Sequence, residues 1–382
     1  MTDTSLGEIA RLFLRLGTTA FGGPAAHVAM MRDEVVTRRG WMTDGEFLDL
    51  IGATNLIPGP NSTEMAIHLG WARRRWAGLA VAGLSFLLPA TLLTAALAWA
   101  YVRFGSLPRA AGLLYGVKPV ILAVVVQAIV GLAPVAVRTW PLRLLGLAAA
   151  GAALFGVHEV AVLVAAGLLV VLARAAGPRR PGGSGPGAAS FAPLLPLAAG
   201  GLALPAAAAA ATLPAIFWLF CRTGALLFGS GYVLLAFLRA DLVERLGWLT
   251  EAQLVDAIAA GQVTPGPVFS TATFVGWLLA GPGGAAVATA GIFLPAFAFV
   301  ALSAPFVPRL RASRTAAALL DGVNVASLAL MAVVTARLTP AAVVDVPTAA
   351  LGATAAILLF RFRISSTWLV LGGAALGAII AS

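Results

Sequence analysis

Residues 58–68 read Pro-Gly-Pro-Asn-Ser-Thr-Glu-Met-Ala-Ile-His, which places an amide, two hydroxyls, a carboxylate and an imidazole within one short run. The prolines cannot donate backbone hydrogen bonds and Gly59 frees the turn, so a helix must end near Ile57. A new helix can start at Asn61, a good N-cap residue. Its opening turn offers unpaired N–H groups and the positive end of a helix dipole, which together attract a small anion. Ser62 and Thr63 add hydroxyl donors. Glu64 and His68 lie four residues apart on one helical face, as either a proton relay or a structural hydrogen bond. Asn61-x-x-Glu64 is equally a capping box, in which the carboxylate only ties back its own helix start.

The elements that must carry these groups are membrane helices. The 382 residues are 60% hydrophobic and 10% charged, with a mean hydropathy of +0.96, whereas a soluble domain is about a quarter charged. Repeated long apolar runs predict an all-α polytopic protein whose solvent is the lipid bilayer. The net charge of +10 comes from 24 Arg and the single lysine, Lys118. Most of these Arg sit in short loops between apolar spans, where a cytoplasmic orientation explains them, and no nucleic-acid partner is expected. The single Cys221 rules out an internal disulfide and reads as a small apolar filler. The opening MTDTSLGEIARLFLRLG has no basic region ahead of its apolar run, so no cleaved leader is expected. No P-loop, Cys/His metal cluster, GxSxG or hydrolase-type acidic pair appears. The inventory is that of a carrier without a cofactor or metal, and not of an enzyme.

The chain also repeats itself. FGGPAAHVAMMRDEVVTRRGWMTDGEFLDLIGATNLIPGP (21–60) aligns without a gap on FGSGYVLLAFLRADLVERLGWLTEAQLVDAIAAGQVTPGP (228–267). Gly22/Gly229, Arg32/Arg239, Trp41/Trp248, Asp49/Asp256 and the whole Pro-Gly-Pro are shared, and the match continues to Pro89/Pro295 and LLYGV/LLDGV. Repeats of this size are a mark of secondary transporters. They divide the chain into a first repeat (1–175), a Gly/Pro/Arg linker with a connecting helix (176–211) and a second repeat (212–382).

Apolar spans are predicted near 76–102, 110–135, 141–156 and 157–173, then near 283–307, 315–336, 345–360 and 364–381. Arginines gather at 73–75, 138, 143 and 174 in the first half, but at 309–314 and 361–363 in the second, so equivalent loops prefer opposite sides. The halves are therefore expected to be inverted, with a cytoplasmic linker at 174–190 and one weak span at 191–212. That gives about thirteen passes, including broken or re-entrant helices, with the N-terminus inside and the C-terminus outside.

Two broken helices meeting from opposite sides would frame a small oxyanion at the midplane. In the second half Val268-Phe269 replaces Asn61-Ser62, and Gly266, Ser270, Thr271 and Thr273 keep the turn and its hydroxyls without ionisable groups. Any proton coupling through Glu64 and His68 is thus a first-half property. His27, which aligns with Leu234, is either a satisfied core residue or a ligand. Lys118, which aligns with Asn324, titrates when buried, attracts an anion or snorkels to the surface. The shared Arg32/Arg239 and Asp49/Asp256 read as braces of the segment 32–49, and Trp41 and Trp248 as interface anchors.

FGGPAAHVAMM with PGPNSTEMAIHLGW, and FGSGYVLLAFL with TPGPVFSTATFVGW and GIFLPAF, resemble the chromate ion transporter family in its long two-domain form. The resemblance covers about 6–173 and 213–380. It implies a bacterial inner-membrane protein that exports chromate, a tetrahedral dianion shaped like sulfate, and so confers chromate resistance. The family's motif positions fall on Gly22, Gly23, Pro24, His27, Pro58, Gly59, Pro60 and Asn61, and on Gly229, Gly231, Pro265, Gly266 and Pro267. Ser230 departs from the glycine common there. The residues themselves specify only a small oxyanion, leaving sulfate and a channel mechanism as alternatives. They leave the oligomeric state open too, a homodimer included.

Overall fold

The structure is a computed structural model that describes residues 4–20, 24–54, 57–104, 108–176, 210–227, 234–304, 314–362, 364 and 366–380. Every regular element among these is helical. The first half comprises α1 (Leu6–Thr19), α2 (Pro24–Arg32, continued by a π-helical stretch Asp33–Arg38), α3 (Asp44–Thr54), α4 (Asn61–Phe104), α5 (Pro108–Ala136), α6 (Trp140–Leu154) and α7 (Glu159–Ala176). The second half repeats the series. It runs α8 (Leu213–Leu226), α9 (Leu234–Leu238, continued by Arg239–Arg245), α10 (Glu251–Val263), a 3-10 turn (Val268–Ser270) leading into α11 (Thr271–Ser303), α12 (Arg314–Ala342), α13 (Val346–Phe362) and α14 (Ser366–Ile380). Asn61–Phe104, Val268–Ser303 and Ala317–Ala342 are long and apolar enough to cross a membrane, and five shorter apolar helices accompany them.

α4 is not one rod. Arg74 (φ −140°, ψ 27°) and Arg75 (φ 49°, ψ −131°) fold it into two arms, as Ala280 and Gly281 (φ 58°, ψ −149°) fold α11. The arms touch backbone to backbone, because a Cβ on Gly70 would overlap the Gly78 carbonyl and one on Gly276 the Gly284 carbonyl. Arg75 is the one non-glycine residue with positive φ among the described residues, in a region that only glycine adopts without strain. Arg75→Gly is therefore expected to stabilise the protein by about 1 kcal/mol, and Gly281→Arg to destabilise it by at least as much. Thermal unfolding in detergent reads both.

The short helices pair as hairpins that come back to their own starting level. Glu8 near the start of α1 pairs with Arg39 beyond α2 at 3.8 Å. Arg73, closing the first arm of α4, donates to Thr4 Oγ1 (3.0 Å) and to the Trp41 carbonyl (3.3 Å) ahead of α3. In each half a buried carboxylate locks the first hairpin: Glu34 binds Arg15 and Arg39, and Asp241 binds Arg222 and Arg245. Each second hairpin starts from a reciprocal cap: Thr43 with Glu46, and Thr250 with Gln253. Arg32–Asp44 (2.6 Å) and Arg239–Glu251 (2.5 Å) brace the bases, as the sequence predicts for the two arginines.

The second arm of α4 orders these pieces. At its Trp76 end lie Arg73 and Arg74, both bonded to Thr4 at the start of α1. At mid-arm a Cβ on Gly17 of α1 would lie 2.5 Å from the Phe86 carbonyl, and one on Gly266 would lie 3.0 Å from Ala90. Further on, Thr94 meets Thr264 and then Tyr101 meets Asp256. The α1 hairpin thus approaches from the Trp76 end and α10 from the Phe104 end. The remaining helices exchange partners: α5 packs on α13 and α14, and α12 packs on α6 and α7.

Candidate functional site

Each Pro-Gly-Pro turn crosses onto a helix end of the other repeat. Gly59 N–H donates to the carbonyl of Leu227, the residue closing α8, at 2.6 Å. Gly266 N–H donates to the carbonyl of Ala20, the residue closing α1, at 3.0 Å. The exchange is reciprocal between the repeats. Gly59 (φ 140°) and Gly266 (φ 92°) hold conformations that side chains disfavour. Irregular backbone of this kind survives at membrane depth only when buried in protein or lining a wet cavity.

Around this crossing the first half places ionisable groups. His27 is buried, its Nε2 lies 3.0 Å from the Ala20 carbonyl, and its ring meets Phe86 edge-on. One ring nitrogen is therefore satisfied as in a core residue, while Nδ1 has no partner among the described residues. Asn61 is the first residue of α4 and not its cap, because the Pro60 carbonyl accepts from Thr63 N–H (2.8 Å) and Glu64 N–H (3.0 Å). Nor does the Asn61–Glu64 capping box form. Glu64 instead turns its carboxylate over Gly59, where a Cβ would overlap Oε1. Glu64 is fully buried, and neither of its oxygens has a hydrogen-bond partner among the described residues. Ser62, Thr63 and His68 are buried on the same arm, and His68 Nε2 and Thr63 Oγ1 lack partners in the same sense.

Hydroxyls of both halves gather at the second break. Ser270 Oγ and Thr94 Oγ1 each lie 3.4 Å from Thr264 Oγ1, and all three residues are buried. Thr271 Oγ1 donates to the Val268 carbonyl at 2.8 Å. The sequence pattern singles out Ser270 and Thr271 but not Thr94 or Thr264, although Thr264 directly precedes the second Pro-Gly-Pro. Gly22 and Gly23, with Gly229 and Gly231, lie outside the described residues.

Lys118 stands apart from this cluster. Its Nζ lies 3.0 Å from Asp256 Oδ1, and the Tyr101 hydroxyl donates to Asp256 Oδ2 at 2.9 Å. The reading of Asp256 as a brace of the hairpin base is therefore corrected. Its carboxylate faces α5 and α4, because position 256 lies well inside α10 and away from the basal arginines. Among the described residues no group of three or more His, Cys, Asp or Glu could hold a metal. The Thr63 hydroxyl, without a partner among the described residues, can donate to an oxyanion, and Glu64 and His68 carry groups able to exchange a proton.

Long apolar helices interrupted by two helix breaks define an α-helical membrane protein. A sequence model described as chromate transporter matches residues 7–171 and again 214–378. The chromate transport protein of Cupriavidus metallidurans is 35% identical over 99% of this chain and 93% of its own length. That of Pseudomonas aeruginosa is 33% identical over 91% and 84%, and the probable chromate transport protein of Synechococcus elongatus is 32% identical over 92% and 89%. The chain belongs to the chromate transporter family. No solved structure matches it.

Proposed function

We propose that the protein is a secondary transporter that exports chromate across the bacterial inner membrane and thereby confers chromate resistance. The observation that carries this reading is the reciprocal bond of Gly59 to Leu227 and of Gly266 to Ala20, by which each helix break closes on the other repeat. His27, Gly59, Asn61, Ser62 and Thr63 of the first repeat and Gly266, Ser270 and Thr271 of the second would receive the dianion there; Gly22 and Gly23, proposed with them, lie outside the described residues. Glu64 and His68 would move the proton. An inside-negative potential favours export by about 2.3 kcal/mol per charge per 100 mV, hence roughly twice that for a dianion. The relatives' names favour chromate over sulfate.

The same reading makes the repeats (1–175 and 212–382) inverted, joined by the segment 176–211. Approach of the two sets of hairpins to α4 from opposite ends supports this. So do the arginines: Arg73–Arg75 at the Trp76 end are joined by Arg138 and Arg174 on Asp321, whereas the Phe104 end carries fewer. The Trp76 end is then cytoplasmic. Four crossing helices and two re-entrant hairpins per repeat, with the crossing expected at 191–212, of which 191–209 lie outside the described residues, would make thirteen membrane elements. Reporter fusions at Arg75 and Gly281 are expected on opposite faces, and finding both on one face removes the inversion. Chromate uptake into everted vesicles, competed with sulfate and molybdate, tests the function. Saturable chromate uptake that sulfate does not outcompete is expected. Uptake equal to that of vesicles without the protein ends the reading.

A further inference from the structure

α1 descends from the Trp76 end to the central crossing, and one stripe of it is open. Arg11, Leu14, Arg15 and Thr18 are exposed, while Ile9, Leu12, Phe13 and Leu16 are buried against the rest of the first half. At 1.5 Å per residue Arg15 stands about 8 Å and Arg11 about 14 Å short of Ala20, so the stripe reaches well into the hydrocarbon depth. Arginine at such depth faces protein or water and not lipid. Beside it lies a cavity of about 210 Å³ lined by Glu8, Arg11, Leu12, Arg15 and Arg39. With a water's share of liquid volume at about 30 Å³, it has room for a tetrahedral oxyanion with part of its hydration shell.

At the aligned positions the second repeat carries different groups. Trp218 takes the place of Arg11 and Ala225 that of Thr18. Arg222, the counterpart of Arg15, is 11% exposed against 53%, turned in on Asp241. Where the cavity's other arginines are tied to carboxylates, Arg15 to Glu34 and Arg39 to Glu34 and Glu8, Arg11 bonds only the Gly7 carbonyl of its own helix (3.3 Å) and has no ion pair among the described residues.

We propose that this cavity is a capture site for the doubly charged tetrahedral oxyanion on the cytoplasmic side, with Arg11 as its receiving cation and the Arg15–Thr18 stripe as the path to the crossing. The proposal rests on the transport reading above and adds a second station to it. A fixed charge in a narrow crevice raises the local concentration of a dianion and does so less as salt rises.

The test uses the full chain in liposomes, with initial rates of chromate transport from the cytoplasmic face at low and high salt. Arg11→Gln is expected to raise KM about fivefold, the Coulomb effect of one charge on a dianion across several ångströms of water. It should lower kcat far less and flatten the salt dependence, and Arg11→Lys should restore most of both. A parent that transports while Arg11→Gln keeps its KM overturns the capture site and leaves the transport reading standing. A shift in KM that appears only in liposomes containing anionic phospholipid assigns the cavity to a lipid phosphate, which also overturns it. No transport by the parent removes both readings.

Discussion

Asp256→Ala is expected to cost about 3–5 kcal/mol, because it strands a largely buried lysine without its counter-ion. Lys118→Met should cost a similar amount by stranding the carboxylate, which is only 4% exposed and otherwise holds the Tyr101 hydroxyl. The double change Lys118→Met with Asp256→Leu should recover most of the loss, since a well-packed apolar pair replaces a buried ion pair at little cost. Melting of the four proteins in detergent gives the coupling energy directly. Transport by the recovered double variant then separates a brace from a working group. We expect it to fall at least tenfold, because the pair joins a helix of each repeat. Parent-like transport by that variant would falsify a transport role for Lys118.

Glu64→Gln is the second large effect. A buried carboxylate without a partner is costly unless it takes up a proton or meets a donor, so the position is poorly explained by architecture alone. Glutamine keeps the shape over Gly59 and cannot exchange a proton. We expect the variant to fold, to bind chromate as tightly as the parent or more so, and to lose at least tenfold of its transport driven by a pH gradient. Transport and its dependence on pH that match the parent across pH 6 to 8 would return Glu64 to a packing role.

The sequence discloses the helix breaks because proline and glycine act locally, and it discloses the repeat because Arg32, Trp41 and their counterparts recur at one spacing. Helix limits from apolar runs are also close: 76–102 and 345–360 are read, and the second arm of α4 ends at Phe104 while α13 spans Val346–Phe362. Partner choice across the fold is another matter. Asp256 meets Tyr101 across 155 positions, and nothing in the local pattern distinguishes that from a bond at its own hairpin base. Glu64 shows the reverse difficulty, since a local motif competes with a tertiary one. Thr43 and Thr250, three residues before Glu46 and Gln253, carry the reciprocal caps that Asn61–Glu64 only imitates.

The exchange of helices between repeats bears on how the protein is made. α5 finds packing partners in α13 and α14 of the second repeat, and α1 ends on a carbonyl that Gly266 of that repeat engages. While the second repeat is still being synthesised, the first therefore sits in the bilayer with its main contact faces toward lipid and its central turn unclosed. Final packing is a late event in biogenesis, set by the arrival of α13 and α14, and until then the passage through the protein does not exist.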